Sequence, residues 1–373
     1  MLLFTDNSRQ SDGNERQVLV VTPDPSMMAL VCEQLEIRGV GLIKRFANNI
    51  EQLDTLEDIA GIDCIIFDAS RLESPDAVIE LIDLQLSRSV VKVAFSTKDS
   101  LVIADNFLKK GIEYCHFPTQ INRIGSFVLQ QQKQSTTTGH AIRITLLGCK
   151  GGIGTSVLSY HAAEYLARKR QSSTLIVQGS RGSRNLDLIS KVAITNEVTL
   201  LQNNLYAFYE DHTQPWLYNN PLYEQHECII FDFTGHNAAD ENIENILTHS
   251  DCLLLICDRN LSSVRTAKKI IEANNHLMNS DNGLRRIYIC HNQHHSKVNG
   301  EISTQELSGL LGKPVDISIP YLLKSGDPSL PLNFSGKNNI YLEKLCNLLL
   351  GRRQTDGKKH GLFDSLKQLT ERK

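Results

Sequence analysis

Two α/β units in series, each a doubly wound parallel sheet, are what this sequence predicts. Three observations lead there. At 373 residues the chain can bury two separate cores. Its strand candidates are short and apolar throughout, and they alternate with segments of helical spacing, which is the pattern of parallel sheets covered on both faces. A polar run, Gln130 to His140 (QQQKQSTTTGH), divides one such series from the next.

The first sixteen residues are polar and predict no packed element. From Gln17 the pattern begins. Val18 to Val21 reads as a strand closed by TPDP, and Met27 to Ile37 reads as a helix ended by Gly39. Asp63 to Ser70, Val90 to Ser96 and Glu113 to Pro118 are further strands. The first unit is expected over 17–132, with a linker at 133–140. The second unit is expected over 141–351, with strands at Ile142 to Gly148, Thr174 to Val177, Cys228 to Phe233, Cys252 to Asp258 and Arg286 to Asn292. A charged tail, 352–373, follows.

Composition narrows the function classes. A formal net charge of −3 gives no basic surplus for a nucleic-acid partner. Nine cysteines occur with no CxxC pair, and Cys64, Cys228, Cys252, Cys257 and Cys290 sit in apolar runs, so buried free thiols are expected rather than disulfides or a metal site. No apolar run approaches the roughly 20 residues that span a bilayer, and Met1 to Phe4 lacks the basic start of a signal peptide. A cytoplasmic protein is expected, meeting a membrane only at its surface.

Chemistry concentrates in Leu146 to Ser156 (LLGCKGGIGTS), which follows a strand and opens a helix. Gly151, Gly152 and Gly154 let backbone N–H groups converge on an anion, with Ile153 between them, and the helix from Thr155 adds its positive end. The Ser156 hydroxyl is placed to ligate Mg²⁺. The alternative is a glycine turn that binds nothing.

The loop resembles the deviant Walker A signature of the MinD/ParA ATPases. That resemblance implies a P-loop nucleotide-binding fold, ATP and Mg²⁺ as ligands, and a signature lysine, here Lys150, that reaches across a dimer to the partner's nucleotide. The usual Walker lysine position holds Thr155, and a preceding glycine is replaced by Cys149. A lysine–phosphate hydrogen bond contributes roughly 1.5–3 kcal/mol. Its loss is expected to weaken ATP binding by a monomer about ten- to a hundredfold, so that binding and dimerisation become coupled.

Other segments extend the resemblance. Asp232 closes CIIFD, where a Walker B carboxylate holds Mg²⁺ through water; a helix cap or turn residue is the alternative. Arg184 to Leu188 (RNLDL) matches the MinD switch I pattern, but its two acidic positions hold Gln178 and Ser180, which argues against fast hydrolysis. The segment after Asp232, FTGH, departs from switch II. SSVR (Ser262 to Arg265) also matches, and Ser262 or Ser263 is expected to cap the helix there. Asn292 ends a strand where the family reads the adenine edge, or is a turn residue. Ser318 to Leu323 (SIPYLL), with Pro320, resembles the loop that closes over the base.

The first unit resembles a flavodoxin-type receiver domain. Asp68 stands where the phosphoacceptor would be and Ser96 where a receiver has its hydroxyl residue. Only Asp24 remains of the acidic pair, and Phe117 replaces the lysine, so Asp68 is expected to be vestigial and the unit to serve docking or dimerisation. In the tail, Leu362, Phe363, Leu366 and Leu369 share one helical face behind Lys358 and Lys359. This resembles the membrane-targeting end of MinD; packing on a partner or on its own domain is the alternative.

A degenerate receiver ahead of a MinD-like unit resembles the TadZ/CpaE proteins of Flp-type (tight adherence) pilus systems. The resemblance implies a homodimeric localisation factor at a cell pole or inner-membrane face that recruits the pilus secretion machinery with its motor ATPase. It implies at most slow ATP hydrolysis. The rivals are a nucleotide-free scaffold, a MinD/ParA-like ATPase cycling on membrane or DNA, and a phosphorylated regulator.

Overall fold

The computed structural model describes residues 16–129, 141–322, 334 and 336–352, apart from 57–58, 60, 73–74, 88, 180–181, 183, 196, 211–217, 281 and 296–301. The fold class is the one expected: α/β, on two sheets, the first wholly parallel and the second parallel except for one edge strand.

The first sheet is built from β1 (Gln17–Val21), β2 (Leu42–Phe46), β3 (Cys64–Asp68), β4 (Val91–Ser96) and β5 (Glu113–His116), with α1 (Pro25–Ile37), α2 (Pro75–Gln85), α3 (Leu101–Lys109) and α4 (Ile124–Leu129) between and after them. Its order is β2-β1-β3-β4-β5, the flavodoxin-type arrangement. Alternate residues feed two cores. Leu19, Ile65 and Phe67 pack on one face with Phe107, while Val18, Val20, Ile66 and Phe95 pack on the other with Leu35. Strand β2 lies at the edge, and its LIKRF sequence carries too much charge to read as an apolar run. Helix α1 stops where the sequence predicts, with Gly39 at φ +81°.

The second sheet comprises β6 (Ile142–Gly148), β7 (Thr174–Gln178), β8 (Thr199–Gln202), β9 (Leu205–Tyr209), β10 (Cys228–Thr234), β11 (Cys252–Cys257), β12 (Ile287–Asn292) and β13 (Ile317–Ile319). Its helices are α5 (Thr155–Arg170), α6 (Leu186–Ser190), α7 (Asp240–His249), α8 (Leu261–Met278), α9 (Thr304–Leu311) and α10 (Asn339–Leu349). The order is β13-β12-β11-β6-β10-β7-β9-β8. The chain leaves β6 toward β7 on one side, and β10 toward β11 on the other, so β6 stands at the switch point where loops diverge and a crevice forms. The β8–β9 hairpin, turned by Asn203 and Asn204 (φ +60° at Asn204), lies outside the sequence expectation; burial alternates along both of its strands instead of being continuous.

Three local expectations are corrected. Ser318 lies inside β13, which pairs with β12, so the segment read as a base-closing loop begins as a strand. The N-cap of α8 is Asn260, whose side chain accepts from Ser262 N at 3.0 Å, rather than Ser262 or Ser263. Arg352, assigned to the tail, is buried and hydrogen-bonds Gln85 Oε1, and Gln85 Nε2 donates to Leu350 O at 2.9 Å. Gln130 to His140 and Leu362, Phe363, Leu366 and Leu369 lie outside the described residues. All nine cysteines are buried and free, and burial pushes the Cys115 and Cys228 thiols up to about 11. No described helix is long and apolar enough to cross a membrane.

Candidate functional site

The carboxyl end of β6 carries the glycine loop into α5. Gly152 and Gly154 both adopt left-handed backbone, at φ +76° and +86°. At Gly154 the requirement is twofold, because a Cβ there would also stand 2.9 Å from Asn292 Nδ2. Gly148 must be glycine for a different reason: a Cβ would meet the Thr155 hydroxyl at 2.3 Å. Thr155 therefore folds its side chain back against the strand. Gly151 and Gly152 are exposed at the tip, and Ile153 is buried beneath them in the core.

Cys149 is fully buried and packs inward against Cys257, whose thiol donates to its sulfur at 3.5 Å. That hydrogen bond and burial raise the Cys149 pKa well above the ordinary thiol value, so this sulfur is an inert packing group. Cys149, pointing into the core, leaves the loop surface clear.

Lys150 lies in the loop with its Nζ donating to Asp258 Oδ2 at 3.2 Å. Asp258 follows β11 and is itself held: its N–H donates to Ser263 Oγ at 3.2 Å and its Oδ1 accepts from Asn260 N at 3.0 Å. The lysine side chain is one-third exposed. Within one chain Lys150 thus has an ion-pair partner that sequence reasoning missed; the signal was an acidic residue at a strand end beside the loop strand.

Asp232, near the end of β10, is buried beside the first turn of α5. Its Oδ1 accepts from Ser159 Oγ at 3.3 Å, and its Oδ2 accepts from Gln178 Nε2 at 2.8 Å. Burial raises the Asp232 pKa, against the opposing pull of hydrogen bonds from Ser156, Gln178 and Ser159. The same Gln178 nitrogen lies 3.1 Å from Ser156 Oγ and 3.2 Å from Asn185 Oδ1. Ser156 and Asp232, the residues expected to serve Mg²⁺, are therefore brought together, with a neutral amide donor between them. They do not fit a divalent cation while that amide stands there, because N–H groups repel cations.

Asn292 is fully buried at the end of β12. Its Nδ2 donates to Ile153 O at 2.7 Å, and its Oδ1 has no hydrogen-bond partner among the described residues. The side chain thus ties the underside of the glycine loop to the neighbouring strand rather than presenting an open edge at the surface. Pro320 follows β13 and is half-buried.

Asp68 ends β3 in the first sheet and accepts from Thr22 Oγ1 at 3.1 Å and Ser70 N at 2.8 Å. Asp24 does not join it: its carboxylate caps α1, accepting from Ser26 N and Met27 N at 2.8 and 3.1 Å. Phe117 packs on Phe95, with ring centroids 5.9 Å apart. Among the described residues, no three His, Cys, Asp or Glu side chains gather as a metal site in either sheet.

Comparison with known proteins gives a consistent kind of neighbour. No family model matches, and no curated protein matches. Solved structures do. A ParA family ATPase from Chlorobium tepidum TLS is 18% identical with a TM-score of 0.40, covering 57% of this chain and 98% of its own. The MinC:MinD cell division protein complex of Aquifex aeolicus gives 16%, 0.43, 57% and 97%. A complex of Cyanothece McdA with ATP gives 13%, 0.44, 58% and 99%.

Proposed function

We propose that this chain binds ATP on residues 150–156 and that two copies meet across the bound nucleotides. The observation that carries this reading is the built loop: two left-handed glycines at the end of a switch-point strand, running into a sixteen-residue helix and fastened from below by Asn292. Backbone N–H groups of such a loop, with the helix N-terminus behind them, answer phosphate charge without a local lysine. Lys150 exchanges Asp258 for the partner's phosphates on dimerisation. Pro320, after β13, stands on the side of the base. Hydrolysis is slow or absent, since Gln178 stands where a carboxylate would organise the attacking water.

The chain serves, on this reading, as a cytoplasmic positioning factor of the TadZ/CpaE type. Its ATP-bound homodimer recruits Flp-type pilus secretion machinery, including the motor ATPase, at a pole or the inner-membrane face. The receiver-like unit, with Asp68 unphosphorylated, supplies a docking or dimer surface. The tail face of Leu362, Phe363, Leu366 and Leu369 supplies the contact with membrane or partner. Nucleic acid is not a partner.

A nucleotide-free scaffold is the second reading, favoured by one observation: Lys150 and Gln178 already have partners within the chain. Calorimetric titration with ATP, together with sedimentation of the wild type and Lys150→Ala, separates the two. Saturable binding with a wild-type dimer that Lys150→Ala loses supports the proposal. Absence of any nucleotide heat establishes the scaffold.

A further inference from the structure

Gln178 closes β7, one strand removed from β6, with β10 between them. Its side chain is fully buried, and its Nε2 reaches Asp232 Oδ2, Ser156 Oγ and Asn185 Oδ1, all within 3.2 Å. The orientation of the amide is set by Asp232: an ionised carboxylate only accepts, so the nitrogen must face it, and turning the amide would set Oε1 against two like oxygens. Oε1 itself has no hydrogen-bond partner among the described residues.

The pair Ser156 and Asp232 is where a phosphate-bound divalent cation would be shared. Mg²⁺ requires near-octahedral oxygen ligands at about 2.0–2.1 Å, and the group between the two residues is a proton donor. The negative charge of Asp232 is meanwhile answered by hydrogen bonds from Gln178 and Ser159 in its own chain. A cation entering here would have to displace or turn the amide and break all three of its contacts.

We infer that the Gln178 amide takes the place of the divalent cation, so that this chain holds nucleotide phosphates without a metal. The inference rests on the nucleotide reading of residues 150–156. Phosphate charge is then answered by loop N–H groups, the α5 N-terminus and Lys150, and Gln178 keeps Ser156 and Asp232 together as a neutral strut under the loop.

The test is titration of the full-length protein with ADP and with ATP, once in excess EDTA and once in excess MgCl₂. The expected result for the wild type is a Kd that agrees between the two conditions within about threefold. Gln178→Asp, and Gln178→Glu should the first fold poorly, sets two carboxylates face to face, which a cation relieves. Each is expected to bind nucleotide at least about tenfold tighter in MgCl₂ than in EDTA. A wild type that binds in MgCl₂ and loses about tenfold or more in EDTA overturns the inference and leaves the nucleotide site standing. Acidic variants that stay indifferent to Mg²⁺ also overturn it. No binding in either condition overturns both the inference and the nucleotide reading.

Discussion

Asp68 and Asp232 occupy corresponding places. Asp68 ends β3 and Asp232 lies near the end of β10, each in a parallel strand next to the opening strand of its sheet, β3 beside β1 and β10 beside β6. The surroundings differ. The loop after β1 carries Pro23 and Pro25, which have no N–H to offer, and Asp24, whose carboxylate is engaged in capping α1. The loop after β6 carries three glycines, and its helix begins with no side-chain cap among the described residues. Asp68 is half-buried and takes two hydrogen bonds, whereas Asp232 is buried with its charge answered by an amide and a hydroxyl. Similar strand ends thus yield a plain turn in one sheet and a candidate anion cradle in the other. The sheet provides the place, and the loop chemistry decides its use.

The contrast is most sharply broken at glycines. Gly39 and Gly154 share left-handed backbone, but a Cβ at Gly39 meets nothing within 4 Å, while one at Gly154 meets Asn292. Gly154→Ala and Gly39→Ala are each expected to cost about 1–2 kcal/mol in denaturant unfolding. Only Gly154→Ala is expected to abolish calorimetric nucleotide binding. Lys150→Ala comes next: about a tenfold loss in ATP affinity with loss of the dimer in sedimentation, while monomer stability moves by less than about 1 kcal/mol, because the Asp258 pair is partly exposed and screened.

Asp232 gives a pH signature. Its pKa is raised in the folded protein, chiefly by burial. The stability it contributes is therefore complete below the unfolded value of 3.8 and is lost as pH rises through the higher folded value. Asp232→Asn is expected to remove that loss, so the stability difference between variant and wild type should grow as denaturation is repeated from pH 4 toward neutrality. The smallest effect is expected at Asp68. Asp68→Ala should leave ATP binding unchanged and cost about 1 kcal/mol from two lost hydrogen bonds. Acetyl phosphate should label neither the wild type nor this variant; labelling that depends on Asp68 would break the contrast.

Much of the fold was legible because parallel strands buried on both faces must be continuously apolar. VLVV, CIIFD and LLLIC read as strands wherever they fall, and all three are strands. Strands β2, β8, β9 and β13 escaped: the edge strands β2, β8 and β13 tolerate LIKRF, TLLQ and a three-residue ISI, whose pairing comes from neighbours rather than from their own composition, and β9 came unread with its hairpin partner β8. The glycine loop was legible for a comparable reason: positive φ admits few residues other than glycine, so the conformation is written into the residue type.

Local sequence therefore determined two parallel sheets, a polar divide between them, nine buried thiols and a strand–glycine loop–helix transition, each of which follows from neighbours along the chain. Only the tertiary structure decided that Gln178 from β7 lies between Ser156 and Asp232, that Asp258 takes the Lys150 ammonium, and that Asn292 fastens Ile153 from below. These pairings join residues 22 to 139 positions apart. Directional hydrogen bonds of this kind arise from the order in which strands are laid side by side, which no spacing along the chain records.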